Sequence, residues 1–147
     1  MTTIAATNIH TRGRQKVRAQ MSADTFSHTK VSGLYVHKIE RIGTTLVGCS
    51  GPSVLCQRFL HWRHNGGRAP VWKETEPFEA LVLDATGLYV FYSGCTAERI
   101  TLPWFAIGSG RQYALGALAN GASTQDAVEI ACKFDPYSKT PVETLLL

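Results

Sequence analysis

The sequence contains no apolar run long enough to cross a membrane as a helix, and its first residues lack the basic-then-apolar order of a secretory signal. These two absences predict a cytoplasmic protein with no membrane partner. Cysteine is scarce and scattered. Cys49, Cys56, Cys95 and Cys132 form no CxxC pair, which excludes a zinc knuckle or dithiol redox motif of the usual spacing and suits small buried side chains. Charged residues are only 18% of the chain, too few for a disordered protein, whereas the 44% of hydrophobic residues can build a core. No internal repeat and no linker divides residues 1–147, so they read as a single domain.

Acid is missing altogether from one stretch. The segment RGRQKVR carries Arg12, Arg14, Lys16 and Arg18 without an Asp or Glu, in a chain whose net charge is +4. Such a cluster has a field that suits an acidic partner. No aromatic platform or nucleic-acid motif accompanies it, which speaks against nucleic acid and for a solvated hairpin tip turned at Gly13.

What is present is a pattern whose period changes along the chain. Residues 2–9, 17–26, 34–39 and 44–49 are extended stretches bounded by glycine or polar turn residues, and they predict two consecutive hairpins. In PSVLCQRFLHWRHN, Val54, Leu55, Phe59 and Trp62 recur at helical spacing, with Pro52 at the first turn and Asn65-Gly66-Gly67 as the stop. His61 and His64 on this helix lack a third ligand at metal spacing. Further on, Asp84-Ala85-Thr86-Gly87 joins two strands as a hairpin, and residues 99–102 and 104–107 predict two short strands. A helix running from Gly110 to Asn120-Gly121 precedes a second, opened by Ser123 or Thr124 with Asp126 in its first turn. Residues 142–146 predict a closing strand. Strands, one helix, strands, a helix pair and a last strand imply a layered α+β sandwich rather than a parallel βαβ fold.

Two passages carry a resemblance: the start Met-Thr-Thr-Ile, and the block FAIGSGRQYALGALANGASTQDAVEIACKFDPYS. The chain resembles the proteasome β-subunit and bacterial proteasome-like peptidases of the N-terminal nucleophile hydrolase superfamily, over nearly its whole length. The resemblance implies a four-layer αββα sandwich of two mostly antiparallel sheets. It further implies that Thr2 is the nucleophile once Met1 is removed, with Asp24 and Lys38 as the family aspartate and lysine. Gly48-Cys49-Ser50-Gly51 matches the bend that offers a backbone N–H, here that of Ser50, to the oxyanion. Ser109 matches the serine beside the active site, and Asp135 and Ser138 match the Asp-x-x-Ser pattern that supports the amino terminus. Gly48 is expected near the base of the specificity pocket, leaving room for a large apolar side chain.

The chemistry gives each part a reason. A threonine hydroxyl is a weak nucleophile and needs a base. A chain-terminal threonine brings its own, an α-amine of ordinary pKa about 7.7 to 8.0. The Lys38 cation would favour the neutral amine and the developing alkoxide. Asp24 would keep that lysine charged and aimed, while Asp135, Ser138 and Ser109 would orient the amine. A preorganised oxyanion donor lowers such a barrier by about 3 kcal/mol. Neither a metal nor an organic cofactor is expected.

The expected activity is therefore threonine-type endopeptidase action on peptide or unfolded protein, by a homo-oligomer that an ATP-dependent unfoldase could feed. Two alternatives remain at this point: an amidohydrolase acting on a small amide, and a silent assembly or binding subunit with the same fold. The chain departs from the family pattern twice. Its first hairpin is longer by the basic segment, and residues 64–78 are too few for the long second helix of ring-forming members, so the helical layer is expected to be shortened.

Overall fold

A computed structural model describes residues 2–28, 33–93 and 95–147. In chain order the elements are β1 (Thr3–Thr7), β2 (His10–Arg12), β3 (Gln15–Val17), β4 (Gln20–Asp24), β5 (Phe26–His28), β6 (Gly33–Tyr35), β7 (Ile39–Ile42) and β8 (Thr45–Ser50). They continue with α1 (Ser53–Asn65), β9 (Glu79–Asp84), β10 (Gly87–Tyr92), β11 (Ala97–Arg99), β12 (Trp104–Gly108), α2 (Arg111–Ala119), α3 (Thr124–Phe134) and β13 (Val142–Leu146).

Two antiparallel sheets form the centre. One has the strand order β12-β1-β4-β13 and the other β11-β10-β9-β8-β7. Alternation along each strand decides what lies between them and what lies outside. In β1, Ile4 and Ala6 face the other sheet and join Met21, Ala23, Leu46, Leu81, Leu83, Leu88, Val90 and Ile107 in the inner core. Ala5, one residue out of phase, packs with Ala106 against Ala114, Ala127 and Ala131 of α2 and α3. Alanines on both sides allow the helix pair to approach this sheet closely.

The other outer face is built differently. Phe59 of α1 is fully buried, with ring centroids 5.1 Å from Phe91 and 5.3 Å from Phe78. Truncating so central a ring costs about 3 to 5 kcal/mol in comparable cores. The molecule is therefore an αββα sandwich whose layer on this side holds, among the described residues, a single helix, α1; residues 66–78 run as loop and turn.

Several sequence expectations are corrected in detail. Val54 is 63% exposed, because only Leu55 and Phe59 of α1 face the sheet squarely while Trp62 leans on the cluster from its edge. The stretch 17–26 breaks at residues 18–19. Its first part closes the β2–β3 ribbon around Gly13 (φ 60°), and its second joins the central sheet beside β1. Leu34 pairs with Ser27 in a separate ribbon, leaving β7 and β8 as the second hairpin around Gly43 (φ 60°). The short strand expected over 99–102 instead ends at Arg99. Its backbone leaves the ladder ahead of Pro103, which has no N–H to contribute and whose carbonyl accepts from Asn8 N–H at 2.7 Å.

Candidate functional site

The residues around the start of β1 come together at one end of the sandwich. Register explains how: Ile4 pairs with Ala23, which brings the side chain of Asp24, the last residue of β4, beside Thr3. Asp24 Oδ1 accepts the Thr3 N–H at 2.8 Å. Its Oδ2 accepts from Lys38 Nζ at 2.8 Å and from the backbone N–H groups of Phe26 (3.3 Å) and Lys139 (3.4 Å). Lys38 also donates to the Phe26 carbonyl. The carboxylate side chain is 0% exposed and the lysine side chain 7%, so both charges have left water and depend on each other. Removing one partner of such a pair costs about 3 to 5 kcal/mol, because the other charge is stranded.

A second buried acid organises the opposite flank. Asp135, which ends α3, accepts on Oδ2 from Ser109 Oγ and Ser138 Oγ, both at 2.6 Å, and on Oδ1 from Tyr137 N–H at 3.3 Å. Ser138 Oγ lies 2.7 Å from Thr3 Oγ1, extending the network into β1. Ser109 N–H donates to the Thr2 carbonyl at 2.8 Å. The Ser109 hydroxyl is also 3.4 Å from that carbonyl, but it has one proton, and the 2.6 Å bond to Asp135 takes it.

Two glycines make this closeness feasible. A Cβ on Gly108, whose φ is 92°, would stand 1.8 Å from the Thr2 carbonyl oxygen, and one on Gly110 would stand 2.1 Å from Thr3 Oγ1. In the sequence Gly110 reads as the start of a helix, and neither Gly108 nor Thr3 is marked there as a site residue. The GSG spacing was the available signal for the former; nothing local marks the latter.

The expected stretch Gly48–Gly51 divides. Gly48 faces the inner core: a side chain there would run into Ile39, Met21 and Ile4, so its smallness serves packing between the sheets. Cys49 points the other way, into the aromatic cluster under α1. Ser50 and Gly51 do reach a cavity of about 950 Å³, shared with Gly108, Ser109, Glu79 and Arg111. Gly51 has φ 132°, and a Cβ there would meet the Pro77 carbonyl at 2.3 Å. Glu79 was not foreseen. Its carboxylate accepts from Gly108 N–H at 3.1 Å and from Arg111 Nη1 at 2.5 Å, tying β9 to β12 beside Thr2.

The site thus collects a residue-2 threonine, a buried lysine–aspartate pair and a second acid with two hydroxyls, one of which, that of Ser109, belongs to a residue lining the cavity. Met1 lies outside the described residues. Among the described residues no group of His, Cys, Asp and Glu side chains is arranged to hold a metal. Cys132 of α3 lies close enough to feel the charges of Asp24 and Lys38. Burial, reinforced by the Asp24 charge, pushes its thiol up to about 12, so it is no competing nucleophile at neutral pH.

No protein-family model matches the chain, and no curated protein matches it by sequence. Solved structures do match by shape. Thiobacillus denitrificans BPH, a bacterial proteasome homologue, is 18% identical with a TM-score of 0.74, over 99% of this chain and 97% of that one. The same protein in complex with epoxomicin is 19% identical with a TM-score of 0.72, over 99% of this chain and 98% of that one. Eukaryotic HslV from Trypanosoma brucei is 16% identical with a TM-score of 0.73, over 99% of both chains. Together with the layer order and sheet topology, these likenesses establish that the chain has the proteasome-type N-terminal nucleophile hydrolase fold.

Proposed function

We propose that the chain is an N-terminal threonine peptidase in which Thr2, freed by removal of Met1, attacks a peptide carbonyl. The observation that carries this reading is the buried Lys38–Asp24 pair at 2.8 Å, fixed to the β1 backbone through Thr3 N–H. A desolvated cation held at the start of β1 is costly to build and is what the threonine hydroxyl and its amine need beside them.

In this reading the α-amine takes the hydroxyl proton as Thr2 Oγ1 bonds to the substrate carbonyl carbon. The Ser50–Gly51 bend, at the cavity wall, supplies backbone N–H to the oxyanion. Collapse passes the proton to the leaving amine and leaves an ester on Thr2. Water, deprotonated by the same amine, then releases the acid. Asp135, Ser109 and Ser138 hold the amine and the residue 2–3 backbone in place. The epoxomicin complex of the Thiobacillus protein supports the choice of test, and HslV-like neighbours support an oligomer served by an ATPase partner.

The test is the intact mass of the untagged chain before and after incubation with a peptidyl epoxyketone. Loss of Met1 and gain of one inhibitor mass, both seen in the parent chain and the adduct absent in Thr2→Ala, are expected. Retained Met1 with no adduct would overturn the reading in favour of a silent assembly role. Turnover of small amides with no cleavage of peptides would instead select the amidohydrolase alternative.

A further inference from the structure

β13 breaks its own pattern. Leu145 and Leu147, alternate residues on the side facing the other sheet, pack against the inner core, and Glu143 shares their phase. A carboxylate in that position needs strong partners. It finds them across the gap between the sheets. Oε1 accepts the backbone N–H of Lys38 at 3.0 Å and of Ile39 at 3.4 Å, while Oε2 lies 2.7 Å from His37 Nδ1.

The backbone it grips lies at the edge of a sheet. β7 is the outer strand of its sheet, and its ladder with β8 begins only at Ile39 paired with Gly48. Lys38 precedes that ladder, in a stretch without strand structure, and a 3.4 Å bond from Cys49 N–H to its carbonyl joins it to β8. β13 is likewise the outer strand of its own sheet. The Glu143 carboxylate therefore spans two sheet edges, and Arg41, which donates to the Leu146 carbonyl, makes a parallel stitch further along.

We propose that Glu143 is a positioning residue: by holding the Lys38 backbone against β13 it sets where the Lys38 ammonium meets Asp24 and the start of β1. The catalytic consequence rests on the threonine-peptidase reading above; the structural hold on Lys38 does not. A long side chain reaching a buried partner transmits a backbone shift directly to its charged end. Displacements near 1 Å in reacting groups can cost about 100-fold in rate.

Glu143→Ala and Glu143→Gln separate this from a general packing role, because glutamine keeps a carbonyl oxygen for the two N–H groups. The rate and affinity of Thr2 alkylation by an epoxyketone are measured separately, as kinact and KI, with melting temperatures alongside. The alanine variant is expected to lose about tenfold or more in kinact with KI within about twofold, and glutamine to recover to within about threefold of the parent. An alanine variant that alkylates at the parent rate, or a glutamine variant as slow as alanine, would overturn the proposal. Hydrogen exchange at the Lys38 amide, read by NMR on lysine-labelled protein, answers independently of activity. Faster exchange in Glu143→Ala and restored protection in Glu143→Gln are expected; unchanged exchange in the alanine variant would sink the positioning role. If the parent chain is never alkylated while the exchange pattern holds, the peptidase reading falls and the grip of Glu143 on Lys38 stands.

Discussion

Two stretches of this molecule concentrate charge, one at each end of β1. At the end where the chain enters the strand, Asp24, Asp135 and the Lys38 side chain are buried and every carboxylate oxygen among them has a donor. At the other end the basic hairpin holds Arg12, Arg14, Lys16 and Arg18 in water, where Arg12 lays its guanidinium on the carbonyls of Asn120 and Gly121 just past α2. Only the hairpin stands out in the sequence, since Asp24, Lys38 and Asp135 are scattered along it. Desolvation reverses that ranking: a charge without water depends on its few neighbours, whereas a charge in water depends on none of them.

The contrast can be broken most forcefully at Asp24. Asp24→Asn removes the negative charge but retains the shape, leaving the Lys38 ammonium buried without its counter-charge. A loss of about 3 to 5 kcal/mol in urea unfolding is expected, together with loss of Thr2 alkylation. A variant as stable as its parent would show that the pair is better hydrated than its burial indicates. Gly108→Ala is next. The added methyl at 1.8 Å from the Thr2 carbonyl must displace the β1 entrance, in a backbone conformation alanine resists, and about 2 kcal/mol or more of destabilisation is expected with the alkylation rate reduced. Unchanged melting and labelling would mean that the β1 entrance yields freely.

At the hairpin the expected effects nearly vanish. Arg14→Ala and Lys16→Ala should each change stability by no more than about 0.5 kcal/mol and leave labelling untouched. A large loss would turn the hairpin into a structural element and collapse the comparison. The smallest effect concerns His37, where the hydrogen bond to Glu143, and then its charge, raise the imidazole pKa from its ordinary value. A raised folded value means the protonated pair contributes below the ordinary value of 6.5 and is lost as pH rises through the folded value. His37→Ala should therefore reduce stability slightly more at pH 5.5 than at pH 8.5, a difference visible in paired thermal melts. The opposite sign would place the proton elsewhere.

Much of the fold was legible in residue order. Helix α3 was marked by Ser123, which accepts the Asp126 N–H at 3.0 Å, and the β9–β10 turn by Asp84, whose Oδ1 accepts the Thr86 N–H at 2.7 Å. Those bonds close within three residues of chain, so local sequence states them. The candidate site was legible through resemblance alone: Thr2, Asp24, Lys38, Ser109, Asp135 and Ser138 are too far apart in the chain for spacing to join them. Gly48 is only partly legible, for a related reason. Its smallness was visible, but which face of β8 it presents was not, and the face puts it against Ile4, Met21 and Ile39.

The sequence by itself determined the helices, the hairpin turns at Gly13 and at Asp84–Gly87, and the Ser123 cap of α3, since each depends on neighbours within a turn or two of chain. Tertiary structure alone decided that Thr3 and Glu143 join the site, that Gly108 and Gly110 give it room, and that Asp24 and Lys38 lose their water. Those outcomes depend on register between distant strands and on what remains of solvent once two sheets have closed, and neither quantity is written in any local stretch of chain.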